Sequence, residues 1–178
     1  MLIQSLSDTP NNEVIDLFRE VFTASEGAQA GSSLEKLVSQ LASYPSPDEV
    51  LGFGAFEDEQ LLGAIYFSRL DFGDSHRVFM LSPVAVSSAY QRRGVGQKLI
   101  TEGLAQLRTQ GVEVVVTYGD PAYYGKFGFQ AMSQRLISPP YPLSMPQGWL
   151  GLALSGESLP AIFGKPSCVT AFNDEALW

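Results

Sequence analysis

The segment "RVFMLSPVAVSSAYQRRGVGQKLITEGLAQLRTQGVEVVVTY", residues 77–118, constrains the fold more than any other part of the chain. It sets a strand-like run, 77–86, ahead of a helical pattern marked by Leu99, Ile100, Leu104 and Leu107, and closes on the apolar run "VEVVVTY". Gly111 stops the helix after about Gln110, and strand, helix, strand in that order is a crossover that sets the two strands parallel. A final run this continuously apolar is expected to be buried on both faces.

The neighbouring segments predict a different pairing. "VLGFGAF", "LLGAIYFSRL" and "RVFMLSPVAV" are separated only by the turn-rich pieces "EDEQ" and "FGDSH", links short enough to demand antiparallel neighbours. Upstream, "LIQSL" reads as a short first strand, with Thr9 as a helix N-cap and Pro10 at the first helical position. Val14, Leu17, Phe18, Val21 and Phe22 then make one apolar helical stripe. Gly27 and Gly31 are expected to break that helix, and Ser32 with Glu35 to form a capping box opening a second one that carries Leu34, Leu37, Val38 and Leu41. Downstream, "GDPAYYGKFGF" predicts a short helix from Pro121, capped near Gly119 or Asp120 and stopped at Gly128. After the proline-rich "SPPYPLSMPQG", the runs "WLGLAL" and "PSCVTAF" are expected to form a long final hairpin. The whole chain is expected to be one domain, 1–178, with a core over 1–135 and a C-terminal connection and final strand hairpin over 136–178.

Charge and composition exclude several functions. A net charge of −8 leaves no basic face for a general nucleic-acid binder, and mildly favours a cationic substrate. One cysteine, Cys168, makes no internal disulfide, and with one histidine, His76, the chain has too few soft ligands for a zinc site, so no metal is expected. The first residues lack the build of a signal peptide and no apolar run reaches membrane-spanning length, so a cytoplasmic protein without membrane contact is expected.

The stretch "YQRRGVGQKLI", residues 90–100, carries the chemistry. A helix N-terminus exposes unpaired N–H groups and a partial positive charge, so a glycine turn entering a helix is a ready phosphate cradle. The bland alternative is a helix-entry turn with solvated arginines. A dinucleotide fingerprint would need a third glycine where Leu99 stands, and the G-x-x-x-x-G-K-[ST] of a Walker loop is absent.

In context the stretch "LSPVAVSSAYQRRGVGQKLI" resembles the acyl-CoA signature of the GNAT superfamily of N-acetyltransferases, a strand end followed by Q/R-x-x-G-x-G/A and a helix, here on Gln91, Gly94 and Gly96. "GDPAYYGKFGF" separately resembles a short-helix element of a bacterial branch of that superfamily. The resemblance covers residues 2–133 in element order and 80–130 in motif. It implies an α/β fold, α+β in some schemes, with a mixed, mostly antiparallel central sheet flanked by helices and its fourth and fifth strands splayed.

It also implies a site. The backbone of Val84, Ala85 and Val86 would hold the pantetheine arm of acetyl-CoA, through Val84 and Val86 in particular. Gln91, Arg92, Arg93, Gly94, Val95, Gly96 and Gln97 would take the pyrophosphate, through the amides of 92–97. Tyr124 would be the acid that protonates the departing thiolate. The family often has an Asn where this chain has Asp120, whose better reading is a helix cap. Many members place a glutamate base on the fourth strand, and "RVFMLSPVAV" carries no carboxylate. His76, Asp71, Asp74 and Glu57 remain as weak base candidates from position alone. The function implied is acetyl-CoA dependent N-acetylation of an amine, with a CoA-binding sensor or interaction module as the alternative. The expected partner is a small-molecule or peptide amine, bound between the first two helices and the C-terminal hairpin, with no nucleic acid and no membrane, and a homodimer is one open option for the assembly.

Overall fold

The computed structural model describes residues 1–178. The elements are β1 (Leu2–Ser5), α1 (Asn11–Glu26), α2 (Ala28–Ala42), β2 (Val50–Glu57), β3 (Gln60–Asp71), β4 (Val78–Val86), α3 (Val95–Thr109), β5 (Val114–Tyr118), α4 (Pro121–Tyr124), β6 (Gln130–Ala131), β7 (Trp149–Ala153) and β8 (Ser167–Cys168). The sheet is mixed and mostly antiparallel, with β4 and β5 as the parallel pair that the crossover predicted. No helix is long and apolar enough to cross a membrane.

Two units divide the chain, and β3, β4 and α3 each contribute residues to both. The first, Met1–Phe67 with Pro83–Gly103, runs β1, β2, β3 and β4 side by side. Side chains of β3 alternate between two partners there. Tyr66 meets Phe18 of α1, their ring centroids 6.2 Å apart, while Phe67 on the opposite face lies against Gly103 of α3. A Cβ on Gly103 would sit 2.6 Å from the Phe67 ring, so this crossing requires glycine.

The helical hairpin of this unit differs from expectation in its punctuation. Pro10 occupies the N-cap rather than the first helical position, and Thr9 is instead the C-cap of a 3-10 turn over Leu6–Asp8. Only Gly27, at φ 97°, separates α1 from α2, and Ser32 lies inside α2 rather than at its cap. Gly31 is a buried helical residue. Its Cβ would fall 1.9 Å from the Thr23 hydroxyl, so it serves the close approach of α1 to α2 and breaks nothing.

The second unit, Ser68–Ser82 with Leu104–Trp178, sets β4 beside β5, β5 beside β7 and β7 beside β6. The expected final hairpin does not form. β7 pairs antiparallel with β5 from Val114↔Ala153 to Tyr118↔Trp149, whereas β8 pairs with the end of β3 at Leu70↔Cys168 and Asp71↔Ser167. Thr170–Phe172 is a 3-10 turn. The aromatic residues explain this arrangement. Trp149, fully buried, donates from Nε1 to the Ile137 carbonyl at 2.9 Å, and Trp178 donates to the Phe172 carbonyl at 3.0 Å while packing edge-on to Trp149 and Phe172. Burying indole surface while satisfying both N–H groups outweighs a hairpin of two short edge strands.

Candidate functional site

β4 carries the first group of expected site residues. Its ladder with β5 covers only Val78↔Val114, Phe79↔Val115 and Met80↔Val116. Thr117 then donates its hydroxyl proton to the Leu81 carbonyl at 3.0 Å, and the next residues of β4 are Ser82 and Pro83, the latter without an N–H to offer. β5 keeps its β7 partner through Tyr118, so the two strands part company after three rungs. Beyond the parting, Val84 and Val86 are half-buried and Ala85 is buried. Gly63 of β3 lies behind Ala85, where a Cβ would stand 2.8 Å from the Ala85 carbonyl.

The turn from β4 into α3 is built from backbone. Ser87 N donates to Leu62 O at 2.8 Å, and a 3-10 turn over Ser88–Tyr90 leads to Gln91. Arg92 (φ 60°) and Gly94 (φ 80°) both adopt left-handed backbone, which is unusual for arginine and natural for glycine. Lys98 N donates to Gly94 O at 2.9 Å, so Gly94 stands at the N-cap and the amides of Val95, Gly96 and Gln97 have no acceptor in the chain. Left-handed residues beside free amides make a concave anion receptor of the nest type.

The side chains around this turn are mostly engaged elsewhere. Gln91 donates from Nε2 to the Val86 carbonyl at 3.1 Å. The Arg93 guanidinium lies 5.4 Å from the centre of the Tyr90 ring, whose hydroxyl donates to Gln60 at 2.9 Å. Arg92, Arg93 and Gln97 are exposed, and Val95 is buried as an anchor of the helix start.

Tyr124 stands in the second unit, at the end of α4. Asp120 caps that helix by accepting from Ala122 N at 2.9 Å, with Pro121 following in the first turn, so the capping role expected of it is the one it plays. The Tyr124 ring packs edge-on to Phe129 at 5.8 Å and to Tyr123 at 5.1 Å. Burial pushes its phenol up to about 12, with the Thr117 hydroxyl acting in the opposite direction and Tyr123 adding a small rise. Sequence reasoning treated Gly119 only as a cap residue. Its Cβ would lie 2.6 Å from the Tyr124 ring, so the glycine is what seats the tyrosine. The "GD" before the short helix is the signal that marks this need.

The weak base candidates do not converge. His76 Nδ1 meets Asp74 at 2.9 Å in the exposed turn between β3 and β4, and Asp74 also accepts from His76 N at 2.9 Å. This hydrogen bond raises the His76 pKa and lowers that of Asp74. Asp71 accepts from Gly73 N at 2.9 Å, and Glu57 is exposed at the end of β2. Each is a local turn or surface group.

Comparison with known proteins bears on the family and the fold. Residues 3–132 match the family model described as an acetyltransferase (GNAT) domain. The uncharacterized N-acetyltransferase YhbS of Escherichia coli K12 is 40% identical over 94 residues, which are 52% of this chain, and the match spans 56% of YhbS. The uncharacterized N-acetyltransferase YjhQ of the same organism is 33% identical over 139 residues, 76% of this chain and 75% of YjhQ. Among solved structures, E. coli YhbS in complex with CoA superposes with a TM-score of 0.79 at 27% identity, covering 97% of this chain and 92% of that one. A Brucella melitensis acetyltransferase in complex with acetyl-CoA gives a TM-score of 0.73 at 29% identity, covering 97% of both chains.

Proposed function

The chain belongs to the GNAT acetyltransferase family, and from that premise we propose that it moves an acetyl group from acetyl-CoA directly to an amine. The observation that carries this reading is the turn into α3, where the amides of Val95, Gly96 and Gln97 lack acceptors beside left-handed Arg92 and Gly94. A diphosphate has the acceptor oxygens and the charge such a receptor wants. The CoA and acetyl-CoA complexes of the two similar structures support the choice of donor.

In this reading Val84, Ala85 and Val86 meet the pantetheine arm by main-chain hydrogen bonds, as an added strand would, which is why their side chains need only be apolar. The Val86 carbonyl, which already accepts from Gln91 Nε2, keeps a second lone pair for such a bond. Residues 91–97 hold the diphosphate, with Arg92 and Arg93 supplying local positive charge.

The acceptor nitrogen bonds to the acetyl carbon as the carbon–sulfur bond breaks. The sulfur leaves as a thiolate that gains a proton, and the nitrogen loses one. Tyr124 addresses the sulfur. A phenol near 12 is a weaker acid than a thiol near 8.5, so outright transfer to a solvated thiolate opposes it by roughly 5 kcal/mol at 1.36 kcal/mol per unit. Tyr124 therefore acts first as a fixed, always protonated hydrogen-bond donor to the developing charge. The proton released by the nitrogen balances the step. Position alone supplies much of the remaining rate.

Thermal unfolding with CoA, ATP and NAD in turn tests the cradle. CoA alone should stabilise, by about 2.7 kcal/mol at a hundred times its Kd. Stabilisation by ATP or NAD and not by CoA would contradict the reading.

A further inference from the structure

Tyr66 of β3 carries a hydroxyl that nothing in the chain meets. The residue is 3% exposed and its ring packs on Phe18 of α1, while Gly52 of β2 leaves that ring its room, since a Cβ there would stand 2.6 Å from it. A phenylalanine would fill the same place, so packing does not account for the oxygen. Burial raises the phenol well above its ordinary value, and no hydrogen bond opposes the rise, so the hydroxyl stays a protonated donor without an acceptor. Such a group costs stability until something meets it. Unlike the Ser68 hydroxyl, which is sealed off, it still reaches open space, and Tyr66 lines a cavity of about 340 Å³ within the first unit. The hydroxyl therefore opens into that cavity.

We propose that this cavity is a small-molecule site in its own right, and that it takes an uncharged molecule with an apolar body and an oxygen that accepts from the Tyr66 hydroxyl. The lining carries the choice of ligand. Leu6, Leu41 and Val50, all buried, give it an apolar floor, and Ser7, Asn11 and Tyr44 give it a polar rim. No charged side chain lines it. Glu49, which after burial helps to raise the Tyr44 phenol, stands outside the lining. An ion seated here would give up water without gaining a counter-charge, whereas a neutral molecule would not. The volume falls within the ~300–1,000 Å³ of small-molecule sites, which share this build of apolar walls and a few convergent polar groups. None of residues 84–97, proposed above for CoA, lines the cavity, so the assignment stands apart from acetyl transfer.

The test is an NMR titration of the full chain with benzamide, and with benzoate and benzylamine as charged molecules of the same shape. Benzamide should shift the backbone amides of Leu6, Leu51 and Gly52 saturably, at roughly millimolar Kd, and leave those of Val95 and Gly96 unmoved. Each charged analogue should bind at least ~10-fold more weakly. Tyr66→Phe, which keeps the ring on Phe18, should weaken benzamide ~10-fold while the rest of the spectrum is unchanged, the fold being thereby checked. Ala42→Phe, which sets a ring into the cavity from the last turn of α2, should abolish saturable binding. Absence of saturable shifts at these amides, equal binding of the three probes, or indifference to Tyr66→Phe would overturn the proposal and show that water alone serves the hydroxyl. None of these readouts depends on acetyl-CoA, so each outcome leaves the acetyl-transfer reading untouched.

Discussion

Tyr124 shows how one residue's surroundings set its protonation. Seating the ring against Gly119, Phe129 and Tyr123 buries the phenol and keeps it protonated throughout the physiological range. Tyr124→Phe should therefore lower turnover by about 10²- to 10⁴-fold with acetyl-CoA affinity little changed, the pattern of a lost transition-state donor, as read by steady-state kinetics beside a CoA titration. Gly119→Ala should reproduce part of that loss, because its methyl group displaces the same ring. The pH dependence has a definite sign. The folded pKa lies above the ordinary value of about 10, so the stabilising contribution of Tyr124 is whole below pH 10 and is lost as pH rises from about 10 to about 12. Denaturant unfolding over that window should show stability falling with pH, and less steeply in Tyr124→Phe. The short helix that carries the tyrosine was legible from "GDPAYYGKFGF", but the reason for Gly119 was not, since only three dimensions bring that α-carbon under the ring.

At the scale of elements, the proposed cradle at the turn into α3 is made of backbone, and substitutions should rank accordingly. Gly94 has nothing within 4 Å of a Cβ, so a larger residue fits sterically, yet at φ 80° it is strained and pulls the cap out of shape. Gly94→Val should weaken CoA binding more than Arg93→Ala, whose guanidinium lies over Tyr90, in a calorimetric titration of both variants. The reverse order would show that charge rather than the amide nest holds the diphosphate. Periodicity made α1, α2, α3 and the crossover readable, because apolar stripes must face a core. Punctuation misled in two places. Gly31 and Gly27 look alike in sequence, but one is a contact point for Thr23 and the other a link at positive φ. "PSCVTAF" alternates like a strand, yet its pairing partner is β3, a choice decided by where Phe172 and Trp178 bury their rings.

For the molecule as a whole, the family match over residues 3–132 and the mixed sheet agree with what the crossover and the two motifs implied. The last forty-odd residues carried no motif, and the packing of Trp178 on Trp149 and Phe172 emerges only from the fold. The missing carboxylate on β4 has no replacement in His76, whose raised pKa belongs to a surface pair with Asp74. His76→Ala should accordingly leave the pH profile of transfer unmoved, and Asp74→Asn should return the imidazole toward its ordinary pKa in an NMR titration. The most direct test of the account is release of free thiol from acetyl-CoA, followed with and without a primary amine and matched to acetylated product by mass spectrometry. Acetyl transfer predicts amine-dependent release, one thiol for each acetylated amine, and a collapse of the rate in Tyr124→Phe. Release that ignores the amine, or none across a broad set of primary amines by a protein that CoA stabilises, would contradict it.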